Sequence, residues 1–266
     1  MTTFFAPEFN RTPEGWVIFP RDTDLRRRLF PYTDPSEHIA KANMYMVLEL
    51  VKFVSEEGET ILDPFAGTGT ILVAAVVGRK VLMIELVETF CQTIELNTIG
   101  LRQSLPNVDD MSNLIPGNAA SILPIDDLCH HMIFSPPYPM GLKKKGAMDK
   151  TSVDLGYSHA TDYSDEADNF TNMNDFIYHQ KIEQFYKKCF QSLRVGGTMS
   201  VIIKDKMEKG KRVMQADRTQ RDCVRIGFEL VERNKWYARG GGYAAVNRAA
   251  GLQTVDDEDL ITLRRP

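Results

Sequence analysis

The stretch from Thr60 to Glu85 constrains the fold more than any other part of this chain. Thr60-Ile61-Leu62-Asp63 is a short apolar run that ends in an acid and leads into the loop Pro64-Phe65-Ala66-Gly67-Thr68-Gly69-Thr70. Ile71–Val77 reads as a helix stopped by Gly78, and Val81-Leu82-Met83-Ile84 is a second apolar run that again ends in an acid, Glu85. Strand, glycine loop, helix, strand and acid in that order make the mononucleotide-binding half of a doubly wound sheet.

The rest of the chain keeps the same rhythm. Asp34-Pro35-Ser36-Glu37 offers a cap, a proline and an acid at the start of a helix, with Ile39, Val47, Leu50, Val51 and Val54 on one face and Gly58 as its break. Met132-Ile133-Phe134 reads as a buried strand, Asp175–Leu193 as an amphipathic helix, and Met199–Ile203 as a strand fed by a turn at Gly196-Gly197. Phe228–Val231 and Leu260–Leu263 read as closing strands. Alternation of this kind predicts an α/β fold with helices on both faces of the sheet. Residues 1–33, rich in proline, arginine and aromatics, read as an arm over the body, and 34–266 as the domain itself. The segment 139–174 has no periodicity, and a loop of that length in a compact domain reads as a mobile, functional insertion.

The glycine loop narrows the ligand. Gly67 and Gly69 let backbone approach a charged group, and the helix that follows presents free N–H groups. Gly67-x-Gly69 is followed by Leu72 where a dinucleotide loop has a third glycine, and no Gly-Lys-Ser/Thr occurs, so neither NAD nor a hydrolysed nucleotide fits. Asp63 before the glycines suits an ammonium group, and Glu85 is placed to accept from two ribose hydroxyls. A nucleoside that carries an amino acid, S-adenosylmethionine, satisfies both acids. Alone, the loop also reads as a plain glycine turn with Glu85 a solvated strand end.

Ser135-Pro136-Pro137-Tyr138 follows a buried strand, at the sheet edge where open α/β folds bind ligands. Two prolines remove two N–H donors and leave rigid, outward carbonyls. The Ser135 side chain and the Pro136 carbonyl can then accept from an exocyclic –NH₂, drawing it towards tetrahedral geometry, while Tyr138 offers a face for stacking. A base inside a duplex reaches such a pocket only when flipped out. Alone, this element also reads as a proline-stiffened turn.

Together, Asp63–Thr70 and Ser135–Tyr138 resemble the cofactor and catalytic motifs of the DNA amino-methyltransferases, specific for cytosine N4 or adenine N6. His38–Asn43 is similar to that family's extra cofactor-contacting segment, and Asn118 stands where the family often has an acid facing the adenine ring. Leu193–Gly197 before an apolar strand also matches. The resemblance implies a Rossmann-like class I methyltransferase with a seven-stranded, mostly parallel sheet, S-adenosylmethionine as cofactor and DNA as partner. It implies cofactor contacts at Lys41, Asn43, Asp63, Pro64, Phe65, Gly67, Thr68, Gly69, Thr70, Glu85 and Asn118, and catalytic roles for Ser135, Pro136, Pro137 and Tyr138. Serine at the first catalytic position leans towards N4-cytosine in that family. The insertion 139–174 and the basic region 204–239 are left to read the target.

Composition fits this reading. The formal charge is -4, yet Lys187–Arg239 alone carries a local excess of basic residues, a surface able to face phosphates. From the charge alone, a solvated surface of mixed charge is the favoured reading. The four cysteines form no C-x-x-C pair, which argues against a disulfide framework or a zinc ribbon, and none follows a proline as the nucleophile of C5-cytosine enzymes does. His130-His131 points to opposite strand faces, so no metal is expected. With no signal peptide and no apolar run that spans a bilayer, a cytoplasmic protein, prokaryotic or phage-encoded, is expected. The Asp-Pro-Phe loop is similar also to tRNA guanine-N2 methyltransferases, which usually carry an RNA-binding domain ahead of the catalytic one, and a non-catalytic nucleic-acid-binding module is the other alternative.

Overall fold

The computed structural model describes residues 4–33, 41–137, 170, 173–208, 210–238, 248–249, 251 and 253–266. Its strands are β1 (Thr60–Asp63), β2 (Lys80–Glu85), β3 (Ser112–Pro116), β4 (Cys129–Phe134), β5 (Leu193–Ile203), the hairpin β6 (Lys206–Glu208) and β7 (Lys211–Val213), β8 (Glu229–Tyr237) and β9 (Asp257–Arg264). Seven of them form one sheet in the order β3-β2-β1-β4-β5-β9-β8. Ile61 pairs in parallel with Val81 on one side and His131 on the other, and Ile133 with Ser200. β9 alone is reversed, running antiparallel to both β5 and β8. This is the Rossmann-like class I methyltransferase sheet that the motifs implied.

Strand alternation divides the apolar side chains between two cores, as the pleat requires. Ile61, Val81, Met83, Ile133, Ile202 and Leu260 face one core, against α1 (Thr23–Leu29), α2 (Met44–Val54), α3 (Val73–Val76), α4 (Glu88–Leu101) and α5 (Val108–Met111). Leu62, Ile84, Met132, Phe134, Val201, Ile203 and Leu263 face the other, against α6 (Ala119–Ile122), α7 (Asp175–Ser192) and α8 (Gln215–Ile226). On α7 the residues Ile182, Phe185, Tyr186 and Cys189 are buried at helical spacing. Each such large side chain contributes about 1.5–3 kcal/mol of burial.

Several expectations are corrected. The helix before β1 starts at Met44, because the Asn43 carboxamide accepts from the N–H groups of Tyr45 (2.9 Å) and Met46 (3.3 Å) and so caps it there. The start expected at Asp34–Glu37 lies outside the described residues. Gly196-Gly197 is no turn ahead of a strand but part of β5, where Gly196 N–H donates to Arg265 O (2.8 Å) and Arg265 N–H to Gly197 O (2.9 Å). A Cβ on Gly197 would sit 2.4 Å from the His130 carbonyl oxygen, so only glycine carries the strand through its register shift against β4. The arm is more than a covering: it contains α1, buries Phe5, Val17, Phe19 and Phe30, and bridges Val17 to the edge of β8.

Candidate functional site

β1 and β4 lie side by side at the point where strand order reverses, and both run into loops at the same edge of the sheet. Ligands bind outside the carboxyl ends of strands at such a point. A cavity of about 300 Å³ opens there, walled by Lys41, Ala42, Asp63–Thr68, Thr70, Glu85–Val87, Phe90, Gly117–Ala119 and Phe134–Pro137. That volume is at the lower end for small-molecule sites.

Asp63 ends β1 and lines this cavity, its Oδ1 accepting from Phe65 N–H at 3.0 Å. Burial pushes its pKa up to about 7, opposed by the Phe65 hydrogen bond and increased by the neighbouring Glu85 charge. No cation acts on this carboxyl among the described residues. Glu85 ends β2 and accepts from Gly67 N–H (2.6 Å) and Val87 N–H (2.8 Å), while burial raises its pKa too. Gly67 (φ 54°) and Gly69 (φ 78°) turn the loop through left-handed backbone, and a Cβ on Gly69 would meet Ile94 Cγ1 at 2.9 Å. The loop then enters a 3₁₀ turn at Thr70–Leu72. Asn118 caps α6 through Oδ1, which accepts from Ala120 N–H (2.9 Å), and its Nδ2 has no protein partner among the described residues.

Of the expected cofactor residues, Lys41, Asp63, Pro64, Phe65, Gly67, Thr68, Thr70, Glu85 and Asn118 line the cavity. Two do not. Gly69 shapes the loop from behind, and Asn43 is engaged at both ends of its carboxamide, capping α2 and donating to Pro20 O (2.8 Å). Ser135, Pro136 and Pro137 reach the cavity directly after β4, and Tyr138 lies outside the described residues, as does all of 139–169. Behind the prolines, Phe65, Phe134 and Phe185 pack together, with the Phe65 and Phe185 rings 4.8 Å apart.

Sequence reading missed Phe90 and Ile202, which also line the cavity. Phe90, an aromatic in the first turn of the helix after Glu85, was the available signal. Asp205, after β5, is buried and accepts from Arg212 Nε (2.7 Å) and Ala216 N–H (3.0 Å), and Lys204 donates to Ala238 O. His131 is held by Thr198 Oγ1 (2.8 Å) and Glu59 Oε2 (3.1 Å). Among the described residues no cluster of three or more His, Cys, Asp or Glu is placed to hold a metal, and no helix is long and apolar enough to cross a membrane.

The sequence model of the DNA methylase family matches residues 18–96, which hold the arm's end, α1, α2, the glycine loop and Glu85. The matched stretch stops before the Ser135 element. No curated protein matches the chain significantly in sequence. Among solved structures, TrmN from Thermus thermophilus superposes with a TM-score of 0.53 at 14% identity, over 91% of this chain and 53% of that one. A methyltransferase from Pyrococcus furiosus gives 0.51 at 10% identity, over 92% and 94% of the two chains. The cyclase SpnF gives 0.52 at 13%, over 84% and 80%. These likenesses establish the fold, and the cyclase among them shows that this fold also serves other chemistry. The chain thus has the fold of these solved structures, and its stretch 18–96, with the glycine loop and Glu85, is similar to the DNA methylase family.

Proposed function

We propose that the protein transfers a methyl group from S-adenosylmethionine to the exocyclic amine of a base flipped out of DNA, with cytosine N4 favoured over adenine N6. The observation that carries this reading is that the Ser135-Pro136-Pro137 element opens into the same cavity as Asp63 and Glu85. The residues fit the cofactor by their chemistry: a half-buried carboxyl that meets no cation among the described residues, a second carboxylate whose oxygens can take diol hydroxyls, and an amide N–H₂ able to donate to an adenine nitrogen. Asp63, Thr68 and Thr70 with Lys41 would hold the amino-acid half, and Glu85, Phe90 and Asn118 the nucleoside half. When bound, the cofactor supplies an electrophilic methyl on its sulfonium.

The chain's own part is positioning and electrostatics. Ser135 Oγ and the Pro136 carbonyl accept from the two amine hydrogens and leave the nitrogen lone pair directed at the cavity; the N–C bond would form as the methyl's C–S bond breaks, and one of the two amine protons would pass to water. Pro136 and Pro137 keep that edge free of competing N–H donors. The reading carries no covalent intermediate with the chain, and the four cysteines, all buried, stand outside this chemistry. We assign the N4-cytosine preference to the serine at position 135, and target reading to the segment 139–174 with the basic region 204–239.

The test is to offer methyl-labelled S-adenosylmethionine with unmethylated DNA and, separately, tRNA. Label in DNA supports the reading, and label confined to tRNA would overturn it in favour of an RNA enzyme. Stoichiometric nucleic-acid binding with no label in either would leave a non-catalytic module.

A further inference from the structure

The arm reaches the glycine loop from behind at two places. Arg26 on α1 is buried, and its Nη1 donates to Thr70 Oγ1 at 3.2 Å. Its Nη2 donates to the carbonyl of Ala42, and its Nε to Asp22 Oδ2 at 2.8 Å. The same Asp22 oxygen accepts from Met44 N–H at 2.9 Å, so one guanidinium joins the arm, the segment before α2 and the cofactor loop. At the arm's other end Thr33 Oγ1 donates to Asn97 Oδ1 (2.7 Å), and Asn97, buried on α4, donates through Nδ2 to Thr68 O (2.8 Å). Gly100 lets the arm lie this close to α4, since a Cβ there would stand 2.6 Å from Pro31 Cδ.

We infer that Arg26 and Thr33 are positioning residues that set the loop Gly67–Thr70, together with Lys41-Ala42, in its ligand-receiving conformation before any ligand arrives. This rests on the reading of the cavity as the S-adenosylmethionine site. Thr68 and Thr70 line that cavity, yet a polypeptide turn with two left-handed glycines has little conformational preference of its own. A planar guanidinium with fixed donor directions is suited to hold three chain segments at once, whereas a lysine ammonium lacks that fork. The two relays act on the loop side of the cavity. The nucleoside side, at Glu85 and Asn118, receives no hydrogen bond from the arm among the described residues.

The test uses the full chain and the variants Arg26→Lys and Thr33→Val. The first keeps the charge but not the fork, and the second removes only a hydroxyl. Calorimetric titration with S-adenosylhomocysteine and with adenosine separates the two halves of the site. The expected result is about a tenfold weaker affinity for S-adenosylhomocysteine in Arg26→Lys and about threefold in Thr33→Val, with adenosine within twofold of wild type. Amide exchange at Thr68–Thr70, measured without ligand, should accelerate in both variants. Equal weakening for both compounds, or wild-type exchange of the loop amides, would overturn the inference. Wild-type protein that binds neither compound would overturn the cofactor reading instead, and the exchange measurement would still decide whether the arm braces the loop.

Discussion

Gly67 donates its backbone N–H to the Glu85 carboxylate over 2.6 Å, which fastens the first glycine of the loop to the acid ending β2. Glu85 therefore holds the loop and the start of α4, and in the proposed function its oxygens also take the ribose hydroxyls. Glu85→Gln removes the charge from the hydrogen bonds to Gly67 and Val87. Loss of charge-assisted bonds of this kind corresponds to about 10- to 100-fold in affinity. Titration with adenosine should show that loss if Glu85 takes the nucleoside half as proposed.

Asp63 gives a pH dependence with a defined sign. Its folded pKa, about 7, lies above the ordinary carboxylate value, so its contribution to stability is complete in acid and is lost as pH rises through 7. An ammonium partner favours the ionised form, which makes ligand binding release a proton below that pH. Affinity for S-adenosylmethionine should climb from pH 5.5 towards about pH 7, by at most about tenfold per unit, and then level off. Asp63→Asn should bind more weakly and lose the climb. The measurement is the dissociation constant across that range in buffers of constant ionic strength.

The two loop glycines should not be equivalent. Gly67 and Gly69 both have positive φ, but a Cβ on Gly67 meets nothing within 4 Å and one on Gly69 meets Ile94 Cγ1 at 2.9 Å. Gly67→Ala should cost about 1 kcal/mol of backbone strain, and Gly69→Ala about 2–3 kcal/mol, since the buried Ile94 must also move. Thermal unfolding of the two variants checks the order.

The cysteines should be inert. Burial pushes the Cys129 thiol up to about 12 and raises Cys189 and Cys223 well above the ordinary value. At pH 8 a thiol of that pKa is thiolate in about one molecule in ten thousand. Iodoacetamide at pH 8 should therefore leave these three unmodified in the native protein and leave methyl transfer intact, as peptide mass mapping and an activity assay would report.

What the sequence made legible follows from which features are local. Asp63, the glycines and Glu85 could be read because a strand, a left-handed loop and a second strand each have their own residue signature within one short stretch. The sheet's seven strands came from resemblance, and the strand pattern alone did not reveal β3, the stretch Ser112–Pro116, whose half-buried residues carry no apolar alternation. Arg26 and Asn97 were invisible for another reason. They act across 44 and 29 residues of sequence, and a buried arginine or asparagine has no periodic mark that separates it from a solvated one. Asn43 lies in a segment similar to a cofactor-contacting one, while the fold uses its carboxamide as a helix cap, a role that the resemblance does not carry.

The measurement that tests the account most directly is mass spectrometry of nucleosides released from DNA after incubation with S-adenosylmethionine and either wild-type protein or Ser135→Ala. The account predicts N4-methylcytosine with the wild type and about a hundredfold less with the variant, at unchanged cofactor affinity. Full methylation by Ser135→Ala, or methylated base in neither sample while DNA and cofactor both bind, would contradict it.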